Sequence, residues 1–409
     1  MKEELPKYPS VRPLETVPTR VDGKNGVLVR DPLGIAAESL FLPVEMYFLI
    51  AHMDGTREVV DLQAEYMRHF GDLMLSDQIK DLVALFSDHY MLDDSRYRER
   101  RKALEREYME GPERPPSHAG SAYPDDKTKL RAFLNDMLQS DPPPGERKGP
   151  DGLMVPHIDL NVGASVYSRG FGVLKKPEDQ TFLILGVGHF SDSDSYQLCP
   201  LDLRTPLGTT PLDRAVAEKI EQASPFDLRS DPLSHRGEHS IEFPLLLLQH
   251  LAGKPSRFKV VPLLCPGFQE AVVDRRDPKS DPPLAEFLEH LREIVREEGL
   301  FPVASVDFSH VGRRFGDAEG IDRPHLAEIE IADRGLLSAV VELDPARFFQ
   351  VIASDGNRRN VDATGAVYTL LSIAPWTSGE LLAYHQNIEQ ETSSAVTFAS
   401  IALWKNASN

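Results

Sequence analysis

From Ser117 onward the chain alternates short, unbroken apolar runs with longer amphipathic stretches, and this alternation restricts the fold more than any other feature. A run such as Phe182-Leu183-Ile184-Leu185 offers no polar residue to either face of the pleat. Such a strand belongs in a sheet covered on both sides, which predicts an α/β architecture with a mostly parallel central sheet and helices on both faces. Strands are predicted at "GLMVPH" (152–157), "TFLILGVGH" (181–189), "FKVVPLLC" (258–265), "FPVASVDFSH" (301–310), "LLAYHQNI" (381–388) and "AVTFASIAL" (395–403). Helical spacing predicts helices over 127–138, 212–223, 240–251, 284–297, 325–341, 345–353 and 363–373. "DPPPGERKGPDG" (141–152) is too rich in proline and glycine for either and reads as a surface loop.

The first 110 residues follow a different pattern. "VLVRDPLG" (27–34) reads as a short strand pair, and 44–71 as helix, Asp-Gly turn, helix. A third helix with Ile79, Leu82, Val83 and Phe86 on one face follows, giving residues 27–93 a small winged-helix shape. The charged stretch 95–110 reads as an exposed helix, 111–116 as a linker and 117–405 as the second domain. The chain carries 64 acidic against 45 basic residues, a net charge of -19, so its field repels nucleic acid and anionic membranes. Two cysteines, Cys199 and Cys265, cannot build a disulfide framework. With no apolar signal segment at the N-terminus, the expected compartment is the cytoplasm.

Three predicted strands end in residues that bind metals well: His157 after "LMVP", His189 after "LILGVG", and Asp307-Phe308-Ser309-His310 after "PVASV". Ligands of open α/β sheets gather beyond the carboxyl ends of the strands, so three histidines delivered there form a constellation. A fourth cluster, "HRGEHSIEF", sets His235, Glu238 and His239 before an apolar helix, where capping and site function are both open. Asp307, Ser309 and His310 have the letters of a catalytic triad, but adjacency in sequence does not give triad geometry. Ser165, Tyr167 and Ser168 could line a pocket or simply start a helix. Cys265 reads as core filler.

These motifs together resemble the Memo family, the system protein B group associated with AMMECR-type and radical-SAM proteins. The resemblance runs through "SHAGSAYP" (117–124), "VPHIDLNVGASVYSRG", "FLILGVGHF", "TPLGTTPLD" (205–213), "EHSIEFPLLL" (238–247), "SVDFSH" (305–310) and "SSAVTFASIAL" (393–403). It implies a fold like that of the class III extradiol dioxygenases, with site histidines at His157, His189 and His310 and Asp307 beside the last. Where the family has Pro-His-Ala-Gly-Tyr, this chain has Asp159, and its "DATGAV" aligns Asp362 with the family's cysteine.

His157, His189 and Asp362 would then form the facial triad of a non-haem Fe(II) site, with Zn or Cu as other possible ions. Asp362 could equally cap the helix that follows it. On this reading His310, Asp307 and His239 are the catalytic candidates, and Asp159, Tyr167, Ser168 and Glu238 the substrate-binding ones. The substrate would be a small molecule or a peptide. The N-terminal unit resembles, more weakly, the PqqD-like winged helix, which implies binding of a peptide or a partner protein. A non-catalytic scaffold and a metal-dependent hydrolase are the other readings.

Overall fold

The computed structural model describes residues 5–36, 38–143, 149–191 and 193–405. It divides into two compact units, Met1–Glu110 and Gly111–Asn409. Of the proline-rich loop expected at 141–152, residues 144–148 lie outside the described residues.

In the first unit, strands β1 (Glu15–Val21), β2 (Lys24–Arg30) and β3 (Leu40–Pro43) form an antiparallel sheet in that order. Asp22 and Gly23 at the β1-β2 turn both have positive φ, the conformation that a two-residue hairpin turn requires. Helices α1 (Val44–Ala51), α2 (Val59–Phe70) and α3 (Ser76–Asp88) follow, with the Asp54-Gly55 turn between the first two. Ile79, Leu82, Val83 and Phe86 pack with Val29, Leu49, Leu62 and Met91 in one core. The first domain was expected over 1–110 with its winged-helix portion at 27–93, and β1, which precedes that portion, was not expected. Its charged helix is α4 (Ser95–Glu110), of which only Tyr97, Leu104 and Tyr108 are buried.

The second unit contains β4 (Glu113–Arg114), α5 (Lys127–Leu138), β5 (Gly152–Val155), α6 (Ala164–Phe171), β6 (Thr181–Val187), β7 (Gln197–Leu198), β8 (Asp202–Thr205) and β9 (Gly208–Thr210). It continues with α7 (Arg214–Ala223), α8 (His239–Ala252), β10 (Lys259–Cys265), α9 (Gln269–Asp274), α10 (Pro282–Glu297), β11 (Phe301–Ser305) and β12 (His310–Gly312). The last elements are α11 (Arg323–Val341), α12 (Pro345–Ser354), α13 (Thr364–Ser372), β13 (Trp376–Glu389) and β14 (Ser394–Lys405).

Among the described residues the main sheet has eight strands in the order β12-β14-β5-β11-β6-β10-β7, with β13 paired to β14. Only β5, β11, β6 and β10 are mutually parallel. The β10-β7, β14-β5, β12-β14 and β13-β14 pairs are antiparallel, which corrects the expected mostly parallel sheet to a mixed one. The β13-β14 pair is a hairpin of tightly connected neighbours, and β14 then docks antiparallel on both β5 and β12.

Two-sided burial is as the apolar runs predicted. Leu183 and Leu185 face a core shared with α7, α10, α11, α12 and α13. Phe182 and Ile184 face another, built with α5, α6 and α8.

Glu113 and Arg114, read as linker, instead form β4 parallel to β8, and Arg114 is fully buried. Its guanidinium donates to the Glu242 carboxylate at 2.6 Å and to the carbonyls of His235 and Glu238 at 2.7 and 2.9 Å. Glu242 also accepts from the amides of Ser117 and His118, each at 2.9 Å, and from the Tyr123 hydroxyl. This network fixes the first turn of α8. Three residues after Asp362, Gly365 packs so closely on the Pro266 carbonyl that a Cβ there would overlap its oxygen.

Two stability outcomes are expected. Arg114→Met should lose about 3–5 kcal/mol in urea unfolding, because Glu242 is left charged without its counter-ion. The Arg114→Met/Glu242→Met double variant should recover little of it, because the Ser117 and His118 amides and the Tyr123 hydroxyl lose their acceptor. Gly365→Ala should lose about 1–3 kcal/mol, since the helix must move off Pro266.

Candidate metal centre

The parallel strands deliver their ends to one pole of the second unit. His157 follows β5 by two residues, His189 follows β6 by two, Asp307 follows β11 by two, and His310 opens β12. Asp362 precedes α13, and His239 is the first residue of α8.

One atom organises these groups. The Asp362 Oδ2 lies 3.1 Å from His157 Nε2, 3.7 Å from His189 Nε2 and 3.8 Å from His310 Nε2. Its Oδ1 accepts the Asp307 amide at 2.9 Å. Asp362 therefore belongs to the site, and no side chain caps α13. His157, His189 and His239 pack ring to ring, with centroids 4.7–4.9 Å apart. Two sets of ligand atoms lie within 4.8 Å of one another: His157, His189 and His239, and His157, Asp307 and Asp362.

Each imidazole is oriented from behind. His157 Nδ1 bonds the Ser305 carbonyl at 3.0 Å, and His310 Nδ1 those of Phe308 and Asn360 at 3.1 Å. His189 Nδ1 meets the Glu238 carboxylate at 3.0 Å, and His239 Nδ1 lies 3.4 Å from the same oxygen. With Nδ1 occupied in this way in His157, His189 and His310, Nε2 of these three rings is left for the site.

The electrostatics follow from this crowding. Burial opposes charge on His157 and His189, but Asp307 and Asp362 raise the first, and Glu238 and Asp362 raise the second to about 10. Burial pushes the Asp362 carboxyl up, yet the facing imidazoles hold it well below the ordinary range. Asp307 moves the other way, raised by its burial. Burial, with His189 beside it, keeps His239 well below its ordinary value. The centre thus holds carboxylate charge that must be balanced by protons or by a cation.

A cavity of about 730 Å³ opens over the centre. His118, His157, His189, His239, Asp307 and His310 line it together with Ile158, Phe190, Phe243, Arg314, Phe315 and Ile388. Asp159 lies on its wall, while its carboxylate also accepts from the Asn161 and Val162 amides and starts the turn into α6. Glu238, expected to bind substrate, is instead fully buried behind His189 and outside the cavity lining, where it caps α8 through the Ser240 amide and holds the His189 ring.

Two of the proposed substrate contacts are turned elsewhere. Tyr167 donates to the Ile158 carbonyl from a fully buried position, and Ser168 Oγ bonds the Leu138 carbonyl beneath α5. Ser309 is fully buried, donates to Asp333 and does not line the cavity, so a substrate there does not meet its hydroxyl. His235 lies buried under α8, with Nε2 on the Gln197 carbonyl. The Cys265 thiol is pushed up to about 12 by burial.

His118, Phe243 and Arg314 went unrecognised in the sequence reading. His118 lies in the quoted "SHAGSAYP", but it precedes no strand, so the strand-end rule passed over it. Its ring is 5.7 Å from that of His239.

A family profile described as Memo-like protein matches residues 114–402. A MEMO1 family protein of Aquifex aeolicus (strain VF5) is 33% identical over 386 residues, covering 92% of this chain and 96% of the relative. A second, from Thermus thermophilus, is 29% identical across 86% of this chain and 100% of the relative, and a third, from Thermococcus onnurineus, is 30% identical across 71% and 99%. The Aquifex alignment is too extensive to be confined to the second unit. On the extent of the profile match and the length of these alignments, this chain belongs to the family of Memo-like proteins.

Proposed function

We propose that the second unit is a metal-dependent, dioxygenase-like oxidoreductase of the non-haem iron type. The observation that carries this reading is the convergence of the His157, His189 and His310 Nε2 atoms on one oxygen of Asp362. The donor types, imidazole nitrogen and carboxylate oxygen, suit a divalent ion, and Asp362 Oδ2 lies 3.1 Å from His157 Nε2 and 3.7 Å from His189 Nε2. His157, His189 and Asp362 would hold the ion, the two imidazoles and one carboxylate that suit Fe(II). A bound Fe(II) supplies one-electron chemistry toward dioxygen.

The protein's own groups do the rest. Ser305 and Glu238 keep His157 and His189 turned toward the ion. His310, fixed at Nδ1, is the group placed to hold or move a proton at Nε2. The part-apolar cavity positions a small molecule or a peptide side chain and limits water. In this reading the fold is that of the extradiol dioxygenases. The first unit is a PqqD-like winged helix that recruits a peptide or a partner such as a radical-SAM or AMMECR-type protein, and the whole acts in the cytoplasm.

A second reading has one observation in its favour. His157, His189 and His239 also form a three-imidazole set, which suits Zn and a hydrolytic water. The identity of the metal separates the two.

Protein purified without oxygen and loaded with Fe(II) should bind one ion per chain. His157→Ala and His189→Ala should abolish binding, and Glu238→Gln should weaken it about 10–100-fold through loss of orientation. Tyr167→Phe and Ser168→Ala should bind as the native chain does. Full iron occupancy in both His157→Ala and Asp362→Ala would end the triad assignment.

Metal uptake should also release protons, because the ion needs neutral imidazoles and His189 stays protonated up to about 10. Affinity should therefore climb with pH from neutrality toward that value. Calorimetry in buffers of different ionisation enthalpy measures the release, and pH-independent affinity would contradict the charge balance described above.

A further inference from the structure

A second cavity, of about 680 Å³, lies at the opposite pole of the same sheet. Asp151, Gln180 and Leu300, which precede β5, β6 and β11, line it, so the strands that end at the metal centre begin here. Its volume falls within the roughly 300–1,000 Å³ typical of small-molecule sites. Phe182, Leu300 and Phe301 give it apolar walls.

The charges around it run against those of the whole molecule. In a chain of net charge -19, the cavity is lined by Lys175, Lys176, Arg296 and Lys405, with Asp151 as its one carboxylate. Asp151 Oδ2 is already taken by the Lys405 amide at 2.8 Å. Among the described residues no carboxylate forms an ion pair with Lys175, Lys176 or Lys405, and Arg296 meets only Glu297, at 3.5 Å. Lys405 is partly buried, with its ammonium 5.2 Å from the centre of the Trp376 ring. Burial holds that ammonium below its ordinary value. Lys175, Lys176 and Arg296 are exposed at the rim and Lys405 is partly buried near Asp151, so among the described residues the cavity carries three more cations than carboxylates, an excess that a bound anion would neutralise.

We propose that this cavity binds a phosphorylated small molecule with a planar or apolar body, of nucleoside diphosphate size. Lysine ammoniums suit phosphate as point charges, and the phenylalanine and leucine walls suit the body. A longer polyanion such as a nucleic acid is disfavoured by the volume of the cavity and by the acidity of the remaining surface.

Calorimetric titration of the full chain with ADP, in chelator and without divalent ions, tests this. ADP should bind saturably at one site per chain, and more weakly as salt is raised. The Lys175→Gln/Lys176→Gln double variant and Lys405→Gln should each lose about tenfold or more in affinity, with unchanged thermal unfolding. Pyrophosphate, which lacks the body, should bind about tenfold more weakly than ADP. The proposal is overturned by any of three results: no saturation at millimolar ADP, equal affinity for ADP and pyrophosphate, or ADP binding that survives the lysine substitutions but is lost in His189→Ala.

Discussion

One carboxylate oxygen, Asp362 Oδ2, sets the terms for the pole of the second unit where the strands end. Three imidazoles point at it within 3.1–3.8 Å, and Asp307 stands 3.8 Å from the nearest of them. A charge buried to this degree is tolerable only with counter-charge and hydrogen bonds at close range. The backbone geometry around it reads as the means of supplying both. The amide of Asp307 binds the other oxygen of Asp362, and the amide of His157 binds Asp307 at 3.2 Å. Each loop that follows a strand is thus tied to the next through the site itself.

Around this centre lies a layer of groups that never enter the cavity but decide where the imidazoles point. Glu238 holds His189 by side chain and by amide, and its own backbone carbonyl is held by Arg114 from β4. On the other flank Asp333, fully buried, accepts from Ser309 at 2.6 Å, Thr397 at 2.6 Å, Arg359 at 2.8 Å and Tyr384 at 2.9 Å. The Arg359 carbonyl in turn takes the His310 amide at 2.7 Å. A buried carboxylate satisfied four ways locks α11, β13, β14 and the His310 loop into one arrangement, since loosening one donor leaves a costly vacancy. The imidazoles are therefore held in place by the fold's own hydrogen bonds.

How much of this the sequence disclosed depended on whether a signal was local. Helix α5 was read at its observed bounds, and the apolar strands were found because two-sided burial leaves no polar positions to confuse the pattern. His157, His189 and His310 were legible because strand ends are where an α/β sheet presents ligands. Arg114 was misread as linker because a two-residue strand has no periodicity, and only the distant Glu242 explains its burial. Of the two readings open for Tyr167 and Ser168, pocket lining and helix start, the second holds, since both lie in α6, whose turns aim them at Ile158 and Leu138. The mixed sheet went unseen because the antiparallel docking of β14 on β5 and β12, and of β7 on β10, lies in tertiary contacts rather than in residue pattern.

The chemistry open to the centre follows from which groups hold protons. Cys265 ends β10, but burial pushes its thiol up to about 12, so no thiolate is available from it near neutral pH. Asp362, at the position where the family resemblance implies a cysteine, is held ionised instead by the imidazoles facing it. A hard oxygen donor with two imidazoles favours a different ion from a thiolate with the same two, and it cannot itself be oxidised. With an oxygen donor where the resemblance implies a thiol, the side chain at this position can hold charge but cannot itself take part in thiol redox chemistry.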